Sequence, residues 1–404
     1  MYNKRSILFT GIITLCIIVF NRCINDTPQK KVIITNPNGQ EYAGSESCRT
    51  CHQAIYDSFS TTMHHLTSGI AFKDYIKGSF KKNENTFEYN DSMKVVMEER
   101  KGGLFQAEYI NGKAEEAERF DIVIGSGKKG QTYLYWKHNE LYQLPVSYFA
   151  GVHHWANSPG YPSDKILFSR FIEPRCMECH TTFESDNSLH GDFIPKQIIY
   201  GVDCERCHGP GEKHVEFQEA NPKAKLARFI INPASLSRQQ SLDACALCHS
   251  GTMLSMKPSF SFLPGDTLSK YFIKNSARID SFNLDVHANQ YGLLTASKCF
   301  RISGTMTCST CHNTHVKEDG NLITYAQKCM SCHTRPNHSA ATLHDKTPSF
   351  MMANCINCHM PVSASKNLTL LVSDDSIPSP ELVRSHLIGI YSSEKINKFL
   401  RTNR

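Results

Sequence analysis

The sequence lacks a tandem repeat of fixed period and has little long, uninterrupted apolar sequence. One short motif recurs at intervals that vary from 21 to 128 residues, which excludes a solenoid built from equal units. The apolar run from Ser6 to Phe20 has 15 residues, fewer than the roughly 20 of a typical membrane-spanning helix. The glycine-rich residues 124–130 (IGSGKKG) precede no helical pattern, so we expect a hairpin there and not a phosphate-binding loop.

Cysteine, in contrast, is abundant, and 14 of the 17 cysteines fall in seven copies of the motif Cys-x-x-Cys-His. This motif is the attachment signal for c-type haem, in which two cysteines form thioethers with the porphyrin and the histidine binds the iron. Zinc ribbons, thioredoxin-like redox pairs and disulfides also use Cys-x-x-Cys, but none requires a histidine directly after every pair. The sequence therefore predicts seven covalently bound haem c groups. Their attachment residues are Cys48, Cys51, Cys176, Cys179, Cys204, Cys207, Cys245, Cys248, Cys308, Cys311, Cys329, Cys332, Cys355 and Cys358, with proximal iron ligands His52, His180, His208, His249, His312, His333 and His359.

The N-terminus has the layout of an export signal, because Lys4 and Arg5 precede the apolar run. Residues 1–22 are predicted to be a signal, a lipoprotein signal or an uncleaved anchor, with Cys23 as the candidate site of lipidation. All three alternatives place the protein outside the cytoplasm, in the periplasm or cell envelope of a bacterium, and two of them attach it to the membrane.

The formal charge of +6 is not the charge of the expected mature protein. Removing residues 1–22 deletes Lys4, Arg5 and Arg22 and leaves +3. Each haem with two histidine ligands adds about −1 when ferric and about −2 when ferrous, so the holoprotein should carry about −4 oxidised and about −11 reduced. An acidic protein is not expected to bind nucleic acid.

Composition and motif spacing predict six segments along the chain. Residues 81–170 contain no haem motif and consist of short β-branched and aromatic runs separated by Asn, Gly and Lys clusters, which is typical of an antiparallel meander. The segments are 1–22 (signal or anchor), 23–41 (tether), 42–80 (first haem unit), 81–170 (β-rich insert), 171–262 (haems two to four), and 263–404 (connector, haems five to seven and an amphipathic C-terminal helix).

Twelve histidines remain after the seven proximal ones, enough to give every iron a second histidine ligand. If all irons are six-coordinate, the protein can only pass electrons. If one haem is open, the first is the candidate, since His153 and His154 lie beside Trp155 where the β-rich insert returns to the haem region. The candidate distal ligands are His64 or His65, His190, His214, His287, His315, His338 or His344, and His386.

Four stretches carry a family resemblance: GSESCRTCH, CERCHGPGEKH, CSTCHNTH and CINCHMP. They resemble the multihaem cytochromes related to hydroxylamine oxidoreductase and its tetrahaem cytochrome c acceptor, over residues 42–75 and 171–390. The resemblance implies a mainly α fold with little regular structure, haems stacked in parallel and perpendicular pairs, and mostly bis-histidine ligation. The β-rich insert resembles an insertion of some longer members.

The resemblance leaves two functions open. The first is electron transfer in extracytoplasmic respiration, with redox proteins as partners: a membrane quinol-oxidising donor or a terminal reductase. The second is an oxidoreductase that acts on nitrite, hydroxylamine or a sulfur oxyanion at one open haem. Related nitrite and tetrathionate reductases carry lysine in place of the motif histidine at the catalytic haem, and this chain has no such motif.

Overall fold

A computed structural model describes residues 32–186, 193–274, 285, 287–318, 320–334, 336–338, 347–373 and 378–392. The elements below belong to the unit formed by residues 34–404. Several predictions concern residues outside these ranges: the signal or anchor, Cys23, most of the tether, and the candidate ligands His190 and His344. Among the described residues, no helix is both long enough and apolar enough to cross a membrane.

The prediction of a mainly α fold is wrong. Helices and strands each account for 28% of the described structure, and many of the strands form antiparallel sheets. The described helices are short, from five to 15 residues. They are α1 (Ser45–Phe59), α2 (Pro174–His180), α3 (Cys204–His208), α4 (Glu212–Ala220), α5 (Arg238–His249), α6 (Gln290–Ala296), α7 (Lys298–Ile302), α8 (Leu322–Met330), α9 (Pro348–Ala353) and α10 (Cys355–His359).

Seventeen strands are described, and nine of them lie in residues 81–170, the segment expected to be β-rich. They are β1 (Ser68–Ile70), β2 (Thr86–Asn90), β3 (Met93–Arg100), β4 (Gly103–Ile110), β5 (Lys113–Arg119), β6 (Ile122–Ile124), β7 (Gly130–Lys137), β8 (Glu140–Gln143), β9 (Val146–Phe149), β10 (His154–Asn157), β11 (Arg170–Phe171), β12 (Thr181–Asp186), β13 (Phe193–Tyr200), β14 (Met253–Ser255), β15 (Phe272–Lys274), β16 (Val362–Leu370) and β17 (Ser379–Arg384).

The strands form two larger sheets and three hairpins. A four-stranded sheet has the order β2-β3-β4-β5. A seven-stranded sheet contains β1-β6-β7-β8-β11, with β9 pairing with β7 and β10 pairing with β9. The hairpins are β12–β13, β14–β15 and β16–β17. All these pairs are antiparallel, as expected for strands joined by short turns.

The core of the β-rich insert forms around Trp155, whose side chain is fully buried with Tyr133, Phe120 and Phe80 around it. In β3 the buried positions Val95 and Met97 alternate with more exposed ones, as a strand with one buried face requires. Gly78 lies against the Trp155 ring, so closely that a Cβ at this position would overlap the indole. No haem-motif residue belongs to this core, and packing between aromatic side chains stabilises it.

Residues 124–130 form the expected hairpin, because β6 and β7 pair antiparallel on either side of them. Gly125 and Gly127 have φ angles of 105° and 82°, a region that other residues rarely adopt.

The amphipathic helix predicted near the C-terminus is not found in the described part of that segment. Residues Ser379–Arg384 form strand β17, which pairs with β16. Residues 393–404 lie outside the described ranges.

Candidate haem sites

Each haem motif is held in a tight turn that places its two cysteines on one side of the chain. Residues three apart share a face of a helix, and the following histidine projects next to them. Five motifs lie within α1, α2, α3, α5 and α10, and the motif at Cys308 begins with a 3₁₀ turn, Cys308–Thr310. Two of these five helices have a side-chain cap. Asp203 accepts a hydrogen bond from the Cys204 amide, and Ser237 forms a capping box with Gln240. These caps fix the start of α3 and α5.

Five of the seven proximal histidines have Nδ1 held by a neighbouring polar group. For His208 and His359 the acceptor is a backbone carbonyl, of Ile231 at 2.9 Å and of Gly389 at 2.8 Å. The acceptor for His249 is the side-chain oxygen of Gln290 at 3.2 Å, and His180 contacts the Thr67 hydroxyl at 3.3 Å. His312 is the fifth and is described below. Such bonds fix the tautomer and leave Nε2 free for a metal.

A carboxylate holds the proximal histidine of the fifth motif. The Nδ1 of His312 lies 2.7 Å from Oε2 of Glu318, which also accepts a hydrogen bond of 2.7 Å from the Tyr325 hydroxyl. The other oxygen, Oε1, accepts one of 2.7 Å from the Asn313 amide. Burial alone would raise the pKa of Glu318, but the hydrogen bonds from His312, Tyr325 and Asn313 outweigh it and hold the pKa below its usual value.

Four proximal histidines each face a candidate distal histidine across a gap of the same width. The ring centres of the four pairs lie 6.0 to 6.2 Å apart. In two pairs, His208 with His315 and His312 with His386, the rings are nearly parallel, with interplanar angles of 28° and 27°. The other two pairs are His249 with His64 and His359 with His338.

This gap fits one metal ion. A metal–imidazole bond is about 2.0 Å, and the ring nitrogen lies about 1.1 Å from the ring centre, so two imidazoles on one ion have centres about 6 Å apart. Each of the four pairs could therefore hold one haem iron between its two rings.

Burial favours the neutral form of three proximal or candidate distal histidines. It lowers the pKa of His64, His180 and His386 to about 4 each, since the charged ring loses water, and neighbouring histidines add to the effect. These imidazoles are therefore neutral at pH 7, which is the form that binds a metal.

Three other candidate distal ligands lie within the described ranges. His287 lies close enough to His180 to affect the pKa of that histidine. His214 is half-buried and donates from Nδ1 to the Arg228 carbonyl at 2.9 Å, as a ligand does. His65, the alternative to its neighbour His64, has Nδ1 3.2 Å from the Asp203 carboxylate. Of this adjacent pair, the ring that faces a proximal histidine belongs to His64.

Cysteines of different motifs lie side by side. Cys48 and Cys204 have sulfurs within hydrogen-bonding reach, as do Cys179 and Cys248. Cys245 and Cys308 form the third such pair. Because each of these cysteines is predicted to bind a porphyrin edge, haems attached at neighbouring cysteines would lie close together.

His153 and His154 lie at the β9–β10 turn, which belongs to the β-rich insert. His153 has a φ of 51°, and the His154 Nδ1 accepts a hydrogen bond of 2.9 Å from the Trp155 amide. Within the described ranges, neither histidine has a hydrogen bond or ring contact with a haem-motif residue. That they line an open haem stays a prediction.

Parts of this chain are similar to known cytochromes. Residues 163–209, which contain the second and third motifs, match the family described as cytochrome c554 and c-prime. The chain is also 24% identical over 194 residues to the multiheme cytochrome MtrA of Shewanella baltica. This chain is a multihaem c-type cytochrome. The stretch of the cytochrome that matches MtrA covers 46% of the chain and 45% of the relative's length.

A solved structure shares the fold of this cytochrome. The outer cell wall cytochrome OcwA matches with a TM-score of 0.50 and 18% identity, over 89% of the cytochrome and 81% of the OcwA chain. The cofactor supported by these comparisons is haem c, as the motifs predict.

The groups that hold the histidine rings were not predicted from the sequence. Glu318, Gln290 and the carbonyls of Ile231 and Gly389 belong to no motif and lie at different distances from the histidines along the chain. For Glu318 one signal exists, since an acidic residue six positions after a motif histidine can return to it through a turn.

Proposed function

We propose that this cytochrome transfers electrons along a chain of seven covalently attached haems, most of them with two axial histidines. The observation that carries the proposal is the common width of the gap in the four histidine pairs, which suits six-coordinate iron. An iron with both axial positions taken by histidine exchanges electrons but binds no substrate. The protein supplies the ligands and the packing, and the haems supply the reversible one-electron chemistry.

The proposal assigns axial ligands as follows. The four pairs above serve the third, fourth, fifth and seventh haems. His287 is assigned to the second haem because of its proximity to His180. For the first and sixth haems, with proximal His52 and His333, the candidates are His214, His190 and His344.

The proximity of cysteines from different motifs supports an unbroken path. The sulfur contacts join the first haem to the third, the second to the fourth and the fourth to the fifth. Cys207 also lies near Cys245, which joins the third haem to the fourth. Cys329 lies near both Cys311 and Cys355, which joins the fifth, sixth and seventh haems. The fourth haem is then a branch point with three neighbours.

We place this activity outside the cytoplasm, in respiration. Attachment of haem c after export, the apolar N-terminal run and the likeness to an outer cell wall cytochrome support this location. The partners are other redox proteins, either a membrane quinol-oxidising donor or a terminal reductase. A signal peptide with a lipid on Cys23, or an uncleaved anchor, would hold the cytochrome at a membrane.

The test is a count of haems and of their spin states. We expect the mass of the purified holoprotein to correspond to seven haems, and the ferric protein to give low-spin electron paramagnetic resonance signals only. The reduced protein should not bind carbon monoxide. About one high-spin haem in seven, with carbon monoxide binding after reduction, would instead support an oxidoreductase with an open haem, and nitrite, hydroxylamine and sulfur oxyanions would be the substrates to assay.

A further inference from the structure

The proximal histidine of the fifth haem has a different electrostatic partner from the other proximal histidines with an Nδ1 contact. His208 and His359 donate to carbonyls, His249 to an amide oxygen, and His180 contacts a hydroxyl, all of them neutral. His312 donates to the carboxylate of Glu318 at 2.7 Å, shorter than any of those four contacts. A bond this short between N–H and a carboxylate is charge-assisted and stronger than a neutral one.

Glu318 is held firmly in this position. The Tyr325 hydroxyl and the Asn313 amide each donate to it at 2.7 Å, and together with His312 they occupy both carboxylate oxygens. The side chain of Glu318 is 28% exposed, so water screens its charge only in part. Three donors stabilise the ionised carboxylate and keep it aimed at the histidine.

We propose that Glu318 is a positioning residue that lowers the reduction potential of the fifth haem, the one attached at Cys308 and Cys311. This inference rests on the proposed function, in which His312 and His386 bind the same iron. A carboxylate that accepts the Nδ1 proton makes the imidazole a more basic ligand, and a basic, electron-rich ligand stabilises ferric over ferrous iron. The negative charge acts in the same direction, because reduction adds one electron to a site that already carries it.

The reduction potential of the fifth haem affects electron flow because of where this haem lies in the proposed path. In the proposed path the fifth haem lies between the branch point at the fourth haem and the sixth and seventh haems. A lower potential there makes this haem harder to reduce than it would be with a neutral partner at His312. By this argument Glu318 affects electron transfer between the fourth haem and the sixth and seventh haems.

The test is a reductive titration of the full-length holoprotein carrying Glu318→Gln, followed by optical and electron paramagnetic resonance spectra. Glutamine keeps a hydrogen-bond acceptor of nearly the same shape and removes the charge. We expect one of the seven midpoint potentials to rise, with at least a tenfold change in the ratio of oxidised to reduced haem at a fixed potential, equivalent to about 59 mV for one electron. The other haems should not change.

Gln290→Glu is the matched second variant, because it places a carboxylate at the Nδ1 of His249. The same physics predicts that the midpoint of the fourth haem falls. Unchanged midpoints in both variants, at seven haems and full low-spin signal, would overturn the inference. If Glu318→Gln instead loses its fifth haem, the Gln290→Glu result decides alone. Failure of the proposed function is distinguishable, since it shows as high-spin haem in the unmodified protein.

Discussion

At the scale of single residues, adjacent histidines have different roles. The ring of His64 lies 6.2 Å from that of the proximal His249, whereas His65 donates from Nδ1 to the Asp203 carboxylate. Phe59 and Tyr56 lie at the edge of the His65 ring, with ring centres 6.0 and 6.5 Å away. We infer that His64 is the second ligand of the fourth haem iron. Its neighbour His65 stabilises the start of α3, where Asp203 caps the third motif.

We predict that His64→Ala converts the fourth haem to a five-coordinate, high-spin form, because the iron loses its distal nitrogen and alanine cannot replace it. One haem in seven should give a high-spin electron paramagnetic resonance signal in the ferric protein and bind carbon monoxide once reduced. His65→Ala is the control and should keep all haems low-spin. The reverse outcome for the two variants would assign the iron to His65.

The sequence predicts the attachment residues, but it does not indicate which histidines lie in pairs. A Cys-x-x-Cys-His motif is a local chemical requirement, so its residues are recognisable wherever they occur. The partner of His208 is His315, and the partner of His312 is His386, far along the chain in both cases. Such pairs depend on the tertiary fold, and a list of histidines gives only the candidates. For Glu318 the spacing of six residues after His312 is the one sequence signal, and the turn that brings the two side chains together is seen only in the structure.

At the scale of elements, short helices followed by antiparallel hairpins account for the error in fold class. Helices α3 and α10 are only five residues long and end at the motif histidine. The chain then continues into hairpins such as β16–β17, whose residues we expected to be connector and helix. The β16 sequence, VSASKNLTL, has mixed polarity and no clean alternation, so pairing with β17 determines its conformation more than local preference does.

The β-rich insert should be sensitive to small changes next to Trp155. Gly78→Ala adds a Cβ that overlaps the buried indole, and we expect it to lower the free energy of unfolding by about 1–3 kcal/mol, as overpacking usually does. Differential scanning calorimetry of the holoprotein measures the effect. Gly304→Ala is the control, because its Cβ would meet no atom within 4 Å. Equal stability of the two variants would show that the indole can move aside.

At the scale of the whole molecule, the haems determine the charge. The polypeptide is basic, with a formal charge of +6, but each reduced haem carries one more negative charge than an oxidised one. If all seven predicted haems are present, their reduction should change the net charge by about seven units, whatever happens to the N-terminal segment. Docking of redox partners should depend on oxidation state and on ionic strength for this reason.

We predict that the fully reduced cytochrome migrates farther toward the anode than the oxidised form at pH 7. Anaerobic capillary electrophoresis of the two forms at the same pH and ionic strength measures the difference. The control is the oxidised protein passed through one cycle of reduction and reoxidation, which should recover its first mobility. Identical mobilities would mean that protons enter with the electrons and neutralise them.

His386 lies two residues after strand β17, far along the chain from the motif whose iron it is proposed to bind. In the proposed pairing, the second, third and fifth haems each receive their second ligand from a histidine that follows their own attachment motif in the chain. The iron of the fifth haem would therefore gain its second ligand only once the C-terminal hairpin β16–β17 has docked. Docking is stabilised near His386, where the Ser385 amide bonds to the Pro361 carbonyl and the Ser297 hydroxyl bonds to the His386 carbonyl. With this hairpin undocked, the fifth iron would have a free position that oxygen or another small molecule could bind.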